Sequence, residues 1–228
     1  MKEIRYEDVI RNAAPCLRSV CISATVRNGE TQPELSLLID KECARIADSY
    51  ELQWVNKRRG IAATREAYKA LGKEPNRYRP SAEALCRRIV NGKGLYRVST
   101  LVDLINLVSV RSGYSIGGFD EDKIAGPTLT LGRGREGEEF HAIGRGLLNI
   151  EGLPVYRDSV GGIGTPTSDE DRTKLSSETC RLLMVINIYG EEMSVDDTVE
   201  YAESLLRDFA GAIDFEVREF SVNDNKIS

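Results

Sequence analysis

The sequence predicts an α+β fold in which a helix-rich N-terminal half packs on a mixed or antiparallel β-sheet core. Helical patterns dominate up to residue 112, whereas glycine, threonine and short alternating runs dominate from Gly113 to about Thr167. Elements therefore group by type, which argues against a repeating βαβ design. The chain has 228 residues, 41% apolar and 29% charged. That is ordinary for a globular protein and long enough for a sizeable core. The expected organisation is a single domain over 1–228, helix-rich over 1–112 and sheet-rich over 113–190, with a C-terminal helix over 194–210.

Leu17–Arg27 is rich in Val, Ile, Thr and Ser, alternates weakly and reads as a strand turned by Asn28-Gly29. Pro33 suits the first turn of a helix running to about Glu51, with Leu35, Leu38, Ile39, Ala44 and Ile46 toward the core. Gly60–Leu71 is a second helix, closed by Gly72. After an extended loop over Asn76–Pro80, Ser81 fits the N-cap of a helix through Val90, stopped at Gly92. Short strands are expected at Thr128–Leu131, Glu138–His141 and Leu153–Tyr156, joined by glycine turns. Cys180–Tyr189 is a continuous apolar run, expected to be a central strand buried on both faces. Ser194 caps a final helix whose apolar side carries Val195, Val199, Ala202, Leu205, Leu206 and Phe209. Asp224–Ser228 is expected to fray.

Residues 100–124 are the most informative stretch. Leu101–Val110 is apolar nearly all round, as a buried helix is. One thin polar stripe of Asp103, Asn106 and Ser109 interrupts it at spacing three. Ser112-Gly113 ends the helix, and Ile116-Gly117-Gly118-Phe119-Asp120 continues as a short strand with uncovered backbone. A polar stripe facing a glycine-rich strand suits a small pocket with Asn106 in its wall and Gly117 at its floor. The simpler reading of Asp103 is as the N3 partner of Thr100 in a capping box.

The five cysteines (Cys16, Cys21, Cys43, Cys86 and Cys180) form no Cys-x-x-Cys pair. No zinc site, other metal site or disulfide framework is expected. Cys86 and Cys180 sit in apolar settings and read as core thiols. His141 is the single histidine and has no nucleophile motif beside it; a structural or surface role is the simpler reading. Gly132–Gly137, Gly144–Gly146 and Gly161–Gly164 lack phosphate-loop spacing and read as hairpin turns. No cofactor is expected. No apolar run approaches the ~20 residues of a membrane helix. The charged start of the chain has no signal-peptide core, so a reduced, cytoplasmic protein is expected.

Net charge is −5. Between Lys57 and Arg111, however, stand thirteen basic and four acidic residues, a local excess of +9. Two readings remain open. One is a phosphate-binding face on which Arg58, Arg59, Arg87 and Arg88 are the RNA-binding candidates. The other is a pair of solvated helices balanced by acidic neighbours in the fold. Aromatics within this window are Tyr68, Tyr78 and Tyr96, so any RNA contact is expected to be mostly electrostatic.

The central stretch also carries a resemblance. Val102-Asp103-x-x-Asn106, Gly113 and Ile116-x-x-Phe119-Asp120-x-x-Lys123-Ile124 resemble the central motif of the B3/B4 domain of the phenylalanyl-tRNA synthetase β-subunit. Downstream, Gly137-Glu138-Glu139-Phe140, the turn at Gly144-Arg145-Gly146 and Val155-Tyr156-Arg157-Asp158 follow that family's order of strand, turn and strand. Upstream, Arg58–Val98 resembles free-standing B3/B4 proteins through a basic helix, Tyr78-Arg79-Pro80-Ser81 and a second helix ending at Gly92-Lys93-Gly94. The resemblance covers roughly residues 15–210 and implies a sheet core of B3/B4 type.

In the synthetase this domain removes tyrosine mistakenly attached to phenylalanine tRNA. The resemblance implies a pocket asparagine at Asn106, with Ile105 replacing a preceding threonine. The family's histidine position is Gly117, in Ile116-Gly117-Gly118-Phe119-Asp120. Its glutamate falls near Met184. Two polar pocket groups are thus replaced, and Gly117→His is expected to raise any residual hydrolysis. Similarity to free-standing B3/B4 proteins extends to Asp158 and to Asp169-Glu170-Asp171-Arg172-Thr173. Asp158 then reads either as orienting a water or amino group, or as ending a strand. Arg172 reads as facing a carboxylate or phosphate bidentately, or as part of a solvated acidic loop. The pocket candidates are Asn106, Gly117, Gly118, Asp158 and Arg172; catalytic residues are not assigned.

The function expected from the resemblance is recognition of tRNA, or of its aminoacylated 3′ end, by a stand-alone relative of the synthetase editing domain. Two alternatives stand beside it: a trans-editing hydrolase of mischarged tRNA, and a small-ligand or protein-binding module that kept the fold without RNA. tRNA is the expected partner, with an amino acid or aminoacyl group as ligand; no membrane is expected. No motif of an aminoacylating active site is present.

Overall fold

A computed structural model of the chain describes residues 1–224. Its strands form two four-stranded sheets and one two-stranded hairpin. The first sheet has the order β1 (Glu3–Tyr6), β4 (Thr128–Arg133), β7 (Pro154–Arg157), β8 (Gly162–Gly164). It is mixed: β1 runs parallel to β4 and the other pairs are antiparallel. The second sheet is antiparallel throughout, in the order β10 (Ile213–Ser221), β2 (Arg18–Thr25), β9 (Arg181–Ile188), β3 (Ser115–Asp120). The small hairpin joins β5 (His141–Ala142) to β6 (Gly146–Leu147). Six α-helices accompany them among the described residues: α1 (Asp8–Ala13), α2 (Pro33–Ser49), α3 (Arg59–Ala70), α4 (Ser81–Val90), α5 (Thr100–Ser112) and α6 (Val195–Ala210).

The alternation of β9 explains the layering. Leu183 and Val185 face the first sheet and meet Ile4, Leu129, Leu131 and Tyr156. Leu182, Met184 and Ile186 face the helices and meet Leu35 and Ile39 of α2, Leu104 and Val108 of α5 and Leu206 of α6. A strand buried on both faces must be apolar at every position, which is why Arg181–Ile188 reads as one hydrophobic run. Polar groups between the sheets are satisfied. The Ser19 hydroxyl lies 2.7 Å from that of Tyr156, which donates to Asn187 Oδ1 at 2.8 Å. Asn187 Nδ2 in turn donates to the Ser115 carbonyl at 2.9 Å.

Several expected boundaries shift for local reasons. α4 begins one residue earlier than a Ser81 cap requires: Pro80 is the N-cap, and the Ser81 N–H donates to Pro166 O instead. α5 is capped by Ser99, and Thr100 donates its hydroxyl to Glu30 O. Asp103 is fully buried and accepts from Val98 N–H and the Thr31 hydroxyl, so it ties the α2 entrance to α5. Gly113 closes α5 with φ of 82°, the left-handed conformation a C-cap glycine adopts. The Ser194 cap is as expected, accepting from Asp197 N–H at 3.1 Å. Leu38 and Ala44 are exposed; the buried face of α2 is Leu35, Ile39, Glu42 and Ile46. Gly162–Gly164 is strand β8 rather than a turn. Cys86 is buried, whereas Cys180 is exposed just ahead of β9, its thiol donating to Glu178 O.

The helix-rich half also contributes a strand to each sheet, β1 and β2, so the two halves of the sequence interleave in space. Asp224 lies in a turn in which its carboxylate accepts from Ser221 N–H. The remainder of the tail expected to fray, 225–228, lies outside the described residues. No helix among the described residues is long and apolar enough to cross a membrane.

Candidate functional site

The glycine-rich strand β3 is the free edge of the second sheet, since only β9 pairs with it. Its two glycines face opposite ways. Gly118 stands opposite Met184 on the helix side, and a Cβ there would lie 2.5 Å from Ile105 Cδ1. Gly117 stands opposite Val185 on the inter-sheet side, where a Cβ would lie 2.7 Å from Phe119 Cζ. The room left by the two glycines is thus occupied by Ile105 on one face and the Phe119 ring on the other. Gly164 of β8 completes the clasp: a Cβ there would lie 2.6 Å from the same Phe119 atom.

The group that closes this clasp is Asp169. Thr165 accepts the N–H groups of Thr167 and Ser168 on its hydroxyl, and the Thr165 N–H donates to Ser168 O. This tight turn bridges Asp169 back against Gly164. Asp169 Oδ2 then accepts the Gly118 N–H at 3.3 Å. Burial pushes the carboxyl up to about 7, with the Gly118 hydrogen bond working against it. A carboxyl that is partly protonated at neutral pH can give or take a proton, or accept a hydrogen bond from an amine or hydroxyl. In the sequence Asp169-Glu170-Asp171 reads equally as a solvated acidic loop, and nothing in it signals which acid turns inward.

The other expected pocket residues are dispersed. Asn106 is half-buried on α5, and its amide has no hydrogen-bond partner among the described residues. Asp158 and Arg172 meet each other in a bidentate pair at 2.9 and 3.0 Å. Asp158 also accepts the N–H groups of Ala125, Val160 and Gly161. Burial pulls its pKa upward, but Arg172 and the three N–H groups hold it below the usual carboxylate range. With five hydrogen bonds on two oxygens it is an anchor for the loops around β7 and β8, with no acceptor capacity left for a substrate. Gly117 and Met184, where the resemblance puts the family's histidine and glutamate, face opposite sides of the sheet.

The four RNA-binding candidates also separate. Arg58 is buried, pairs with Glu192 at 2.7 Å and donates to the carbonyls of Val110 and Arg111 at the end of α5. Arg87 pairs with the fully buried Glu83, which also binds Arg65. Arg88 lies 3.7 Å over the Tyr96 ring. Arg59 is exposed with no ion-pair or hydrogen-bond partner for its side chain among the described residues. His141 is exposed and bonded to Glu139. No cluster of His, Cys, Asp and Glu able to hold a metal ion is present among the described residues.

Comparison with known proteins gives one family. The family model described as the B3/4 domain matches residues 63–201, more than half of the chain. No curated protein matches the sequence. Among solved structures, the chain is similar to an N-terminal fragment of the phenylalanyl-tRNA synthetase β-subunit from Pyrococcus horikoshii. That similarity has a TM-score of 0.47 at 12% identity and covers 97% of this chain and 54% of the fragment. The chain therefore spans about half the length of that fragment.

Proposed function

The chain belongs to the B3/4 domain family, and from that premise we propose that it binds tRNA or the aminoacylated 3′ end of tRNA. The observation that carries the reading is the Asp169 carboxyl on the unpaired edge of β3, inside the matched region. Burial holds it up at about 7, and as an acceptor it suits an amino group such as that of an aminoacyl ester. Binding is favoured over rapid hydrolysis. The positions of the family's histidine and glutamate are Gly117 and Met184, and a positioned acid or base contributes ~10²–10⁴-fold in rate.

The same carboxyl supports a second reading, a slow trans-editing hydrolase in which Asp169 handles the proton. Deacylation of tyrosine-charged phenylalanine tRNA, with the parent and Asp169→Asn side by side, separates the two. The binding reading predicts binding without turnover in the parent and weaker binding of charged tRNA by the variant. Rapid turnover by the parent that Asp169→Asn abolishes would replace it with the hydrolase.

A further inference from the structure

We propose that the cleft lined by Tyr50, Trp54, Lys57 and Arg59 is a stacking platform for an unpaired RNA base, with the two cations on the flanking phosphates. This rests on the reading that RNA is the partner and specifies where and how it is held. The cleft lies between α2 and α3 and measures about 350 Å³. α2 ends at Ser49 with Tyr50 as its C-cap; a turn closed by Trp54 N–H on Glu51 O leads into a single 3-10 turn, Val55–Lys57. Val55 is fully buried in the core under the helices. It pins the segment, so the preceding Trp54 is held at the surface with 55% of its area exposed.

Trp54 is the single tryptophan of the chain. Tryptophan combines a large rigid ring with a polar N–H, which is why it is enriched at interfaces. Its surroundings select the partner. Lys57 and Arg59 are exposed, and neither side chain has an ion-pair or hydrogen-bond partner among the described residues. The one carboxylate lining the cleft, Glu192, is neutralised by Arg58 and accepts the Gly60 N–H. Glu51, nearby in the sequence, holds the Gln53 amide. Tyr50 presents a ring already bearing the Arg58 guanidinium at 5.0 Å. Two π faces beside two uncommitted cations match a nucleotide, which offers a π face and an anion together. The basic window begins at Lys57, so reading it alone misses both aromatics and leaves only electrostatic contact.

The fluorescence of Trp54 reports on the platform directly. Adding tRNA, or a short unstructured oligouridine, to the parent should quench it. In anisotropy with labelled RNA, Trp54→Ala should weaken oligouridine binding by about 5- to 150-fold, the range of one lost stacking contact. Trp54→Phe, which keeps a ring, should recover most of that loss. Lys57→Ala with Arg59→Ala should lower the salt slope of oligouridine binding by about 1.4, about 0.7 for each phosphate contact on a single strand. Unchanged fluorescence, or parent-like RNA affinity in folded Trp54→Ala, overturns the platform while leaving tRNA binding elsewhere intact. Equal quenching by poly-aspartate at matched ionic strength also overturns it, assigning the cleft to an acidic peptide. Failure of the parent to bind any RNA defeats both this inference and the reading beneath it.

Discussion

Substituting Arg58 decides whether the basic window is a binding face or a structural brace. In the structure the Arg58 guanidinium is buried and makes four hydrogen bonds besides lying over the Tyr50 ring. It donates to Glu192 Oε1 at 2.7 Å, Val110 O at 2.7 Å, Arg111 O at 3.2 Å and Cys86 Sγ at 3.1 Å. Arg58→Ala leaves two carbonyls at the end of α5 without their donor and Glu192 with only the Gly60 N–H. Breaking a buried pair costs about 3–5 kcal/mol. Because the Glu192 side chain keeps 17% exposure, the lower figure of about 3 kcal/mol applies here. In a chain of this length that lowers Tm by about 6–12 °C. Arg59→Ala, one residue on and solvent-exposed, should stay within about 0.5 kcal/mol of the parent. A double-mutant cycle with Glu192→Ala should return a coupling of about 0.5–3 kcal/mol. Calorimetry reads all five proteins: the parent, the three single variants and the double. Equal melting of Arg58→Ala and Arg59→Ala would refute the assignment of Arg58 as a brace.

Four further outcomes follow from the geometry. The folded state holds the Asp169 proton above its ordinary value of 3.8, so the residue costs nothing where both states are protonated, below about pH 4. The cost grows to a ceiling of about 4 kcal/mol above pH 7, lowered by partial exposure. Asp169→Asn should therefore stabilise at pH 8 and be neutral near pH 3.5 in urea unfolding; an equal gain at both would point to another cause. Asp158 behaves oppositely. Its depressed pKa stabilises above the unfolded value, so Asp158→Asn should cost about 2–3 kcal/mol near neutrality, a difference that shrinks as the solution is acidified. Gly164→Ala drives a methyl to 2.6 Å from Phe119 and should cost about 1–3 kcal/mol in a thermal melt. Gly117→His meets the same ring, which reverses the sequence-based expectation: it should destabilise and leave hydrolysis unrestored, as a melt and a deacylation assay on one preparation would show.

Where burial is continuous, residue pattern alone located the elements: α5, β9 and the Ser194-capped α6 stand where their apolar runs place them. β1 and α1 escaped because they are only four and six residues long. β10 did carry a local signal: Ile213–Arg218 alternate apolar and charged residues, and the alternation breaks only at Glu219. Its pairing with β2 at the sheet edge matches that pattern. At the candidate site the residue pattern marks the glycines of β3 but not the acid beside them. Asp169 meets Gly118 across 51 residues of sequence, a contact no spacing rule reaches. The basic window left two readings open for the same reason, since the ion-pair partner of Arg58 lies 134 residues away.

Direct binding of tRNA by the parent protein tests the proposal that this B3/4 domain recognises tRNA. Filter binding should be run at low and moderate salt with one tRNA in charged and uncharged forms, against duplex DNA of similar length. Salt-sensitive binding of tRNA is expected, tighter than that of the duplex and strengthened by the aminoacyl group. No tRNA binding at low salt, or equal binding of the duplex, would contradict it.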